Sequence, residues 1–261
     1  DQFDEYYYHI FVWNKSRKEI VGAYRIGKSD EIIAERGVDG LYTSTLFNFK
    51  PSLFKHLGPA LELGRSFVRP EYQKTYSPLL LLWKGIGRFV LANPDNKTLF
   101  GPVSISSDYS TLSREVIVRH LKTHNSAQER VGPLFRKISK LVKPRTPPKL
   151  KSLRRHEVKQ LRRVFSTIDD VSGVVTDLEP DHKSIPILLK QYLKLGGKVL
   201  AFNVDPDFNM ALDGLLVVDL SQTHPRILAN YLGRENMERF LRYHQILQED
   251  EPEARPETQK E

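Results

Sequence analysis

Two strand-like segments joined by a short polar turn open the chain, and they limit the folds that it can adopt. Residues 6–13 read YYYHIFVW and residues 19–26 read EIVGAYRI. Both are rich in the aromatic and β-branched residues that favour strands. The five-residue connection NKSRK is too short for a crossover helix, so it predicts an antiparallel hairpin. The chain therefore needs a sheet with at least one antiparallel pair.

The second strand overlaps a phosphate-loop motif. Residues 22–29, GAYRIGKS, match the pattern G-x-x-x-x-G-K-[ST]. That loop works only where backbone amides curl around a phosphate between a strand and a helix. Here its first residues continue a strand, and the downstream Asp219 ends an ordinary apolar strand. We therefore predict no nucleotide site, and we predict that Gly27–Ser29 form the turn after the strand.

Strands and helices alternate along the rest of the chain. Helix starts are clearest at Ser77-Pro78, where a capping residue precedes a proline in the first turn. Further strands are predicted at 59–68, 99–105, 198–204 and 215–220, and helices at 77–93, 110–120, 185–197 and 234–244. This order predicts an α/β fold with a mixed, mainly antiparallel central sheet flanked by helices.

The charge is concentrated in one segment. The net charge is +8, and residues 136–163 alone contain twelve Lys or Arg and one acid. Within them, KPRTPPK at 143–149 has three prolines, which exclude a helix and predict a loop or linker. Residues 249–261 are acidic and have the composition of a disordered tail. We predict a single domain over 1–248 with a basic Pro-rich insert at about 136–163.

Composition also excludes several function classes. The chain has no cysteine, which excludes disulfides, zinc–thiolate sites and a cysteine nucleophile. The longest apolar run, 78–83, is too short to span a bilayer. The excess of positive charge is confined to one linker and helix without a nucleic-acid motif, so nucleic acid is not predicted as a partner.

Four motifs occur in the order seen in a known family. They are Phe3-Asp4, HIFVWNKSRKEIVGAYRI, ELGRSFVRPEYQ, and LLKQYLKLGGKV with a following Asp-x-Asp-Phe. In this order the chain resembles the ornithine-type acyl-carrier-protein N-acyltransferases, which have the GNAT (general-control-related N-acetyltransferase) fold. The Glu-x-x-Arg strand motif also occurs in the more distant acyl-homoserine-lactone synthases. The resemblance implies transfer of a fatty acyl group from acyl carrier protein to the amine of a small acceptor, an amino acid, in membrane aminolipid biosynthesis.

The chain also departs from that family. Its members carry another strand–helix unit before the Phe-Asp element, and this chain opens on Asp1 rather than Met. We therefore expect a fragment that lacks its first strand–helix unit. The basic insert and GLYTSTLFNF resemble a subgroup called hemolysin-like, in which the domain can follow an O-acyltransferase domain. The acceptor is therefore left open, and a fused or partner O-acyltransferase is an expected partner.

Glu62 is the candidate catalytic base. Amide formation from a thioester needs an acceptor for the amine proton and donors for the developing oxyanion. Glu62 lies on a strand between apolar residues, where burial raises its pKa. Backbone N–H groups after Arg65 are candidate oxyanion donors. The alternative is that Glu62 and Arg65 form a buried ion pair that holds the strand.

The absence of glycine from one turn indicates the acyl donor. The turn at 69–78 contains no glycine, whereas a coenzyme A pyrophosphate is held by a Gly-rich turn at a helix N-terminus. The acyl-phosphopantetheine of a carrier protein has one phosphodiester, so fewer donors suffice. No tightly bound cofactor and no metal are expected. The predicted donor-binding residues are Arg65, Arg69, Ser77, Ser104 and Ser106, and the predicted acceptor-binding residues are Asp205 and Asp207.

The charge fits two partners, of which the resemblance implies the first. Acyl carrier protein is acidic and fits a basic enzyme, and the basic segment fits an anionic membrane surface. The expected location is cytoplasmic, peripheral at the inner face of the membrane. The alternative function is a catalytically degenerate module that docks a larger lipid acyltransferase on the membrane.

Overall fold

A six-stranded sheet forms the centre of the computed structural model, which describes residues 1–74, 77–126, 133–150, 153, 156, 165 and 167–246. Its strands are β1 (Tyr8–Asn14), β2 (Glu19–Lys28), β4 (Ala60–Val68), β5 (Thr98–Ile105), β7 (Lys198–Asp205) and β8 (Ala211–Asp219). Two short strands, β3 (Phe47–Phe49) and β6 (Val142–Pro144), pair separately.

The strand order in the large sheet is β1-β2-β4-β5-β8-β7. The pair β4–β5 is parallel, and the other pairs are antiparallel. The predicted hairpin is the pair β1–β2. The prediction of a mixed, mainly antiparallel sheet with the GNAT-like arrangement is confirmed.

The two parallel strands, β4 and β5, separate in the middle of the sheet, at a point that we call the fork. Ala60–Glu62 pair with Thr98–Phe100, and β4 and β5 have no registered partners in each other beyond that point. Next to the fork, Gly101 lies so close to β4 that a Cβ on it would be 2.0 Å from the Leu63 carbonyl oxygen. The absence of a side chain at Gly101 therefore allows the close approach at the fork.

A β-bulge bends β4 just past the fork. Arg65 has a left-handed backbone (φ 48°), and the register with β2 shifts between Ala23 and Arg25. The extra residue interrupts the in–out alternation that the sequence predicts for this strand. The bulge turns the outer half of β4 away from β5.

Helices cover the sheet unequally on its two faces. The helices are α1 (Ser29–Arg36), α2 (Ser52–Leu57), α3 (Ser77–Ala92), α4 (Thr111–Ser126), α5 (Pro133–Ser139), α6 (Ile168–Leu178), α7 (Ile187–Lys194), α8 (Pro225–Leu232) and α9 (Arg234–Tyr243). The larger apolar core includes Leu61, Leu63 and the buried side of α3. We call this side of the sheet the α3 face.

A second core covers part of the opposite face. It includes Phe3, Leu41, Phe47, Leu53 and Phe100, contributed by short helices, 3₁₀ turns and the β3–β6 pair. Because these elements cover only part of this face, polar residues on neighbouring strands lie beside a cavity.

The predicted turn at Gly27–Ser29 is wrong. β2 continues through Lys28, and α1 begins at Ser29 without an intervening loop. Gly22 lies within the ladder, paired with Val12 on one side and Val68 on the other. The motif therefore has no loop in which amides could surround a phosphate, as the prediction of no nucleotide site requires.

Part of the basic insert contributes to the fold. Residues 133–139 form α5, and 142–144 form β6, which pairs with β3; the prediction of a loop over Lys143-Pro144 is therefore wrong. Pro144 is accommodated because its strand is at the edge of a two-stranded pair. Most of the insert from residue 151 and the predicted tail at 249–261 lie outside the described residues. Within the described ranges, no helix is long and apolar enough to cross a bilayer.

Candidate active site

Polar side chains from several strands share the face opposite α3. Ser104 on β5 is opposite Asp213 on β8, which is in turn opposite Asn203 on β7. Asp205 lies two residues beyond Asn203 and therefore on the same face. Glu62 is on this face as well, between Leu61 and Leu63, which point into the larger core. The sheet thus collects three carboxyl groups on one side.

Beside these residues is a cavity of about 470 Å³. Its lining includes both aspartates, and it borders the bulge of β4; the wall is formed by Tyr42, Arg65, Ser66, Phe67, Pro102, Val103, Ser104, Leu188, Asp205, Phe208 and Asp213. We call it the acidic cavity.

Asp213 is the titratable group best placed in the acidic cavity. Burial raises the pKa of its carboxyl group to about 6, the charge of Asp205 adds to this, and the hydrogen bond from Ser104 opposes it. The Ser104 Oγ donates to Asp213 Oδ1 at 2.6 Å. A carboxyl group with this pKa is a competent proton acceptor near neutral pH.

The predicted acceptor-binding pair Asp205 and Asp207 is divided by the structure. Asp205 is buried and lines the acidic cavity. Asp207 is exposed in the turn after β7, where its backbone N–H donates to Asp205 Oδ1 at 3.0 Å. Asp207 therefore orients Asp205 through its backbone, and its own side chain faces solvent.

Glu62 is fully buried in a hydrogen-bonded network beside the cavity. Its carboxylate accepts from the Tyr7 hydroxyl, from the Thr43 N–H at 2.6 Å and from the Tyr42 N–H at 3.3 Å. Burial raises the pKa of Glu62, and these hydrogen bonds oppose the rise. Glu62 thereby fixes the 3₁₀ turn Tyr42–Thr45, whose Tyr42 lines the acidic cavity.

The alternative of a Glu62–Arg65 ion pair is not what the structure contains. Arg65 instead donates to Asp1 at 2.9 Å, and its side chain is 59% exposed. Because the bulge rotates Arg65, its side chain lies at the acidic cavity rather than beside Glu62.

A second cavity, of about 530 Å³, lies on the α3 face. We call it the donor cavity; it is lined by Tyr24, Ser66, Phe67, Val68, Gln73, Lys74, Leu79, Leu82, Ile187 and Leu188. Ser66, Phe67 and Leu188 line both cavities. The two cavities therefore meet where β4 has separated from β5, so that the fork connects the two faces of the sheet.

The predicted donor-binding residues are distributed over four places. Ser77 begins α3, and the neighbouring Lys74 lines the donor cavity. Ser104 and Arg65 line the acidic cavity. Arg69 lines neither cavity and pairs with Glu19 at 2.6 Å and Glu71 at 3.2 Å. Ser106 donates to Asp108 at 2.8 Å in the turn after β5.

Sequence reasoning missed Asp213. It lies in LDGLLVVD, a strand that is otherwise almost wholly apolar and is buried along its whole length except at the end. A single acidic residue inside such a strand is the sequence signal that could have identified it. A carboxyl group is costly to bury, so it is retained there for a function or with a paired group. Tyr7 and Tyr42 were missed as partners of Glu62 because they are 55 and 20 residues away in the chain.

Comparison with known proteins identifies the domain. A family model described as "Acetyltransferase (GNAT) domain" matches residues 1–84, which include β1, β2 and β4 with Glu62. No solved structure matches the chain significantly.

Three curated relatives carry related names. A glycine N(alpha)-acyltransferase of Phocaeicola vulgatus is 27% identical over 259 residues, covering 94% of this chain and 73% of that protein. One of Bacteroides thetaiotaomicron is 36% identical over 143 residues, 51% of this chain and 42% of that protein. An L-ornithine N(alpha)-acyltransferase of Rhodobacter capsulatus is 29% identical over 235 residues, 86% of this chain and 76% of that protein. Residues 1–84 therefore carry a GNAT acetyltransferase domain, and along most of its length the chain is similar to proteins named for N-acyl transfer to amino acids, which supports acyltransferase activity.

Proposed function

We propose that this chain transfers a fatty acyl group from the phosphopantetheine of acyl carrier protein to the α-amine of an amino acid. The observation that carries the proposal is the fork between β4 and β5, which joins an apolar-walled cavity to an acidic one. A thioester arriving on one face then meets an amine held on the other.

The donor cavity suits a thin acylated arm. Most of its lining is apolar, and it includes Lys74 and also Leu79 in the first turn of α3. A helix N-terminus and a lysine together favour one phosphodiester. The described part of the turn at 69–74, like the rest of it in sequence, has no glycine for a pyrophosphate cradle. These features favour a carrier protein over coenzyme A as the donor.

The acidic cavity suits a zwitterionic acceptor. Asp213 and Asp205 attract an ammonium group, and Arg65 at the same cavity attracts a carboxylate. This supports a role for Arg65 with the acceptor rather than with the donor. The names of the relatives, glycine and L-ornithine N(alpha)-acyltransferase, support an amino acid in this position.

The chemistry is an ordinary aminolysis of a thioester. The amine nitrogen attacks the carbonyl carbon, and the carbonyl oxygen becomes an oxyanion. Its collapse breaks the C–S bond and releases a thiolate, which becomes the thiol by taking up the proton that the nitrogen has lost. Asp213 accepts the proton that the nitrogen loses. β4 beyond Glu62 has no ladder partner on its β5 side, so its backbone N–H groups there are available to the oxyanion. Glu62 acts by holding Tyr42 and remains a candidate for the proton relay.

The biological role we propose is the first acylation of a membrane aminolipid, at the cytoplasmic face of an anionic membrane. An N-acylated amino acid is amphiphilic, and a second acylation would occur at the bilayer. The basic segment at 136–163 supports this placement through attraction to anionic lipid. A fused or partner O-acyltransferase would supply the second step.

A product assay tests the proposal. The chain is incubated with long-chain acyl carrier protein or the matching acyl-coenzyme A, and with a panel of amino acids that includes glycine and L-ornithine. We expect an N-acyl amino acid, detected by mass, with a larger kcat/KM for the carrier-protein donor. Equal specificity constants for the two donors would refute the donor assignment. Absence of amide product with both donors would favour the docking module.

A further inference from the structure

The free end of the β1–β2 hairpin carries a strip of exposed apolar side chains. Trp13 is opposite Ile20, and Phe11 and Phe67 are both opposite Ala23, so the four large side chains share the face opposite α3. Their exposed fractions are 55% for Phe11, 47% for Trp13, 41% for Ile20 and 49% for Phe67. We call these four residues the aromatic strip.

Near its free end, the hairpin exposes these large apolar side chains on one face. Ile10 and Val12, which alternate with Phe11 and Trp13, pack against the larger core. Behind the aromatic strip, the α3 face of the hairpin is thus covered. Large apolar side chains clustered on a solvent-facing surface indicate an interaction site, whereas scattered ones do not.

Cations lie directly beside the aromatic strip. The tip of the hairpin contains Lys15, Arg17 and Lys18, and all three are exposed. The neighbouring acid, Glu19, is shared: it is engaged by Arg69 at 2.6 Å and by the Tyr72 hydroxyl at 2.7 Å, and it lies 3.9 Å from Arg17. The hairpin tip therefore presents a positive surface next to an aromatic one.

We propose that the tip of the β1–β2 hairpin docks this chain on the surface of an anionic lipid bilayer. Tryptophan is favoured at the level of the headgroups, where its ring has both apolar and polar surroundings. Cations near an anionic leaflet add attraction that salt screens. The aromatic strip enters the interface while Lys15, Arg17 and Lys18 contact the headgroups. The charge beside the strip favours this occupant over an uncharged apolar partner.

The placement connects the membrane to the site. Phe67 belongs to the aromatic strip and also lines both cavities. The aromatic strip and the acidic cavity are on the same face of the sheet. A docked hairpin therefore brings the mouth of the acidic cavity to the lipid. The docking surface itself does not depend on the proposed function; only its benefit, direct release of an amphiphilic product, rests on it.

Vesicle binding tests the charged part of the surface. The 261-residue chain is sedimented with vesicles of phosphatidylcholine alone and with vesicles that contain phosphatidylglycerol. We expect binding to the anionic vesicles, weakened by salt, and weakened at least roughly tenfold in the variant K15S/R17S/K18S. The matched control removes three exposed cations of α7, α8 and α9, Lys194, Arg226 and Arg239, each changed to serine, and is expected to lose much less.

Tryptophan fluorescence tests the apolar part. The chain has two tryptophans; Trp83 is buried in the core, and Trp13 is half exposed. Anionic vesicles should shift the emission of Trp13 to shorter wavelength, and lipids brominated on their acyl chains should quench it. Trp13→Phe keeps an apolar residue and should bind normally without the signal. F11S/W13S should weaken binding at least roughly tenfold, with folding checked by circular dichroism.

Three results would overturn the proposal. One is failure of the folded chain to bind anionic vesicles. Another is binding that is equally weakened by the hairpin and the control charge variants, which would reflect net charge or the segment at 136–163. The third is binding without quenching of Trp13, which would assign the aromatic strip to a protein partner. Because none of these assays needs turnover, each is distinguishable from failure of the proposed acyl transfer.

Discussion

At the residue scale, the carboxyl groups at the centre of the sheet have different environments. Asp213 lines a cavity and has its pKa raised to about 6, whereas Glu62 is enclosed by hydrogen-bond donors. Sequence reasoning located Glu62 and its burial, because a strand with alternating apolar residues buries whatever lies between them. It missed Asp213, because only the pairing of β5 with β8 puts Ser104 against it.

The pH dependence of turnover distinguishes Asp213 from other acids. A general base must be ionised, so kcat/KM should rise as the pH passes about 6, the pKa of Asp213. This limb of the profile lies at lower pH than the loss of a proton from the acceptor amine. In Asp213→Asn this limb should disappear and the rate should fall by roughly 10²-fold. The measurement is a pH–rate profile for the variant beside wild type. An unchanged limb at about pH 6 would assign it to another group.

Glu62→Gln tests whether that residue acts through Tyr42. A glutamine keeps one acceptor oxygen but turns an N–H toward the Tyr7 and Tyr42 donors, so we expect a loss of about 1–3 kcal/mol in unfolding free energy. Turnover should fall at least roughly tenfold in the fully folded variant, since Tyr42 lines the acidic cavity. Calorimetry and initial rates at a temperature where the variant is folded supply the measurement. Near-normal turnover there would remove Glu62 from the catalytic network.

At the scale of elements, the long strands and α3 were predictable, and the short covering elements were not. The strands of the large sheet have apolar or alternating patterns, and α3 has a clear Ser-Pro start. The helix α1, the turn at Tyr42–Thr45 and the β3–β6 pair are short and depend on contacts distant in sequence. The left-handed backbone of Arg65 was likewise unpredictable, since arginine has no preference for it.

The fork between β4 and β5 depends on Gly101. An alanine there would place its Cβ 2.0 Å from the Leu63 carbonyl oxygen, so Gly101→Ala should lower the free energy of unfolding by at least about 2 kcal/mol. The matched control is Gly173→Ala on α6, where a Cβ meets nothing within 4 Å, and stability should rise by about 0.5–1 kcal/mol. Denaturant titrations measure both. Equal, small effects would show that the approach at the fork is not tight.

At the scale of the whole molecule, the account depends on two cavities on opposite faces of one sheet. The sequence predicted the fold class, but not which face of the sheet each residue occupies. The donor turn and the partners stay predictions. The face of the sheet that a side chain occupies depends on the register of its strand. The bulge in β4 moves the Arg65 side chain to the face opposite the one that plain alternation predicts. Catalysis then needs both the thioester at the fork and the acceptor in the acidic cavity.

The most direct measurement is the rate of N-acyl amino acid formation from long-chain acyl carrier protein and glycine or L-ornithine. It should be made for wild type, for Asp213→Asn and for the control Asp177→Asn, an exposed acid on α6. The account predicts amide product in wild type, a loss of roughly 10²-fold in Asp213→Asn and little change in Asp177→Asn. Formation of amide at an undiminished rate in folded Asp213→Asn, or no amide in wild type with any amino acid, would contradict it.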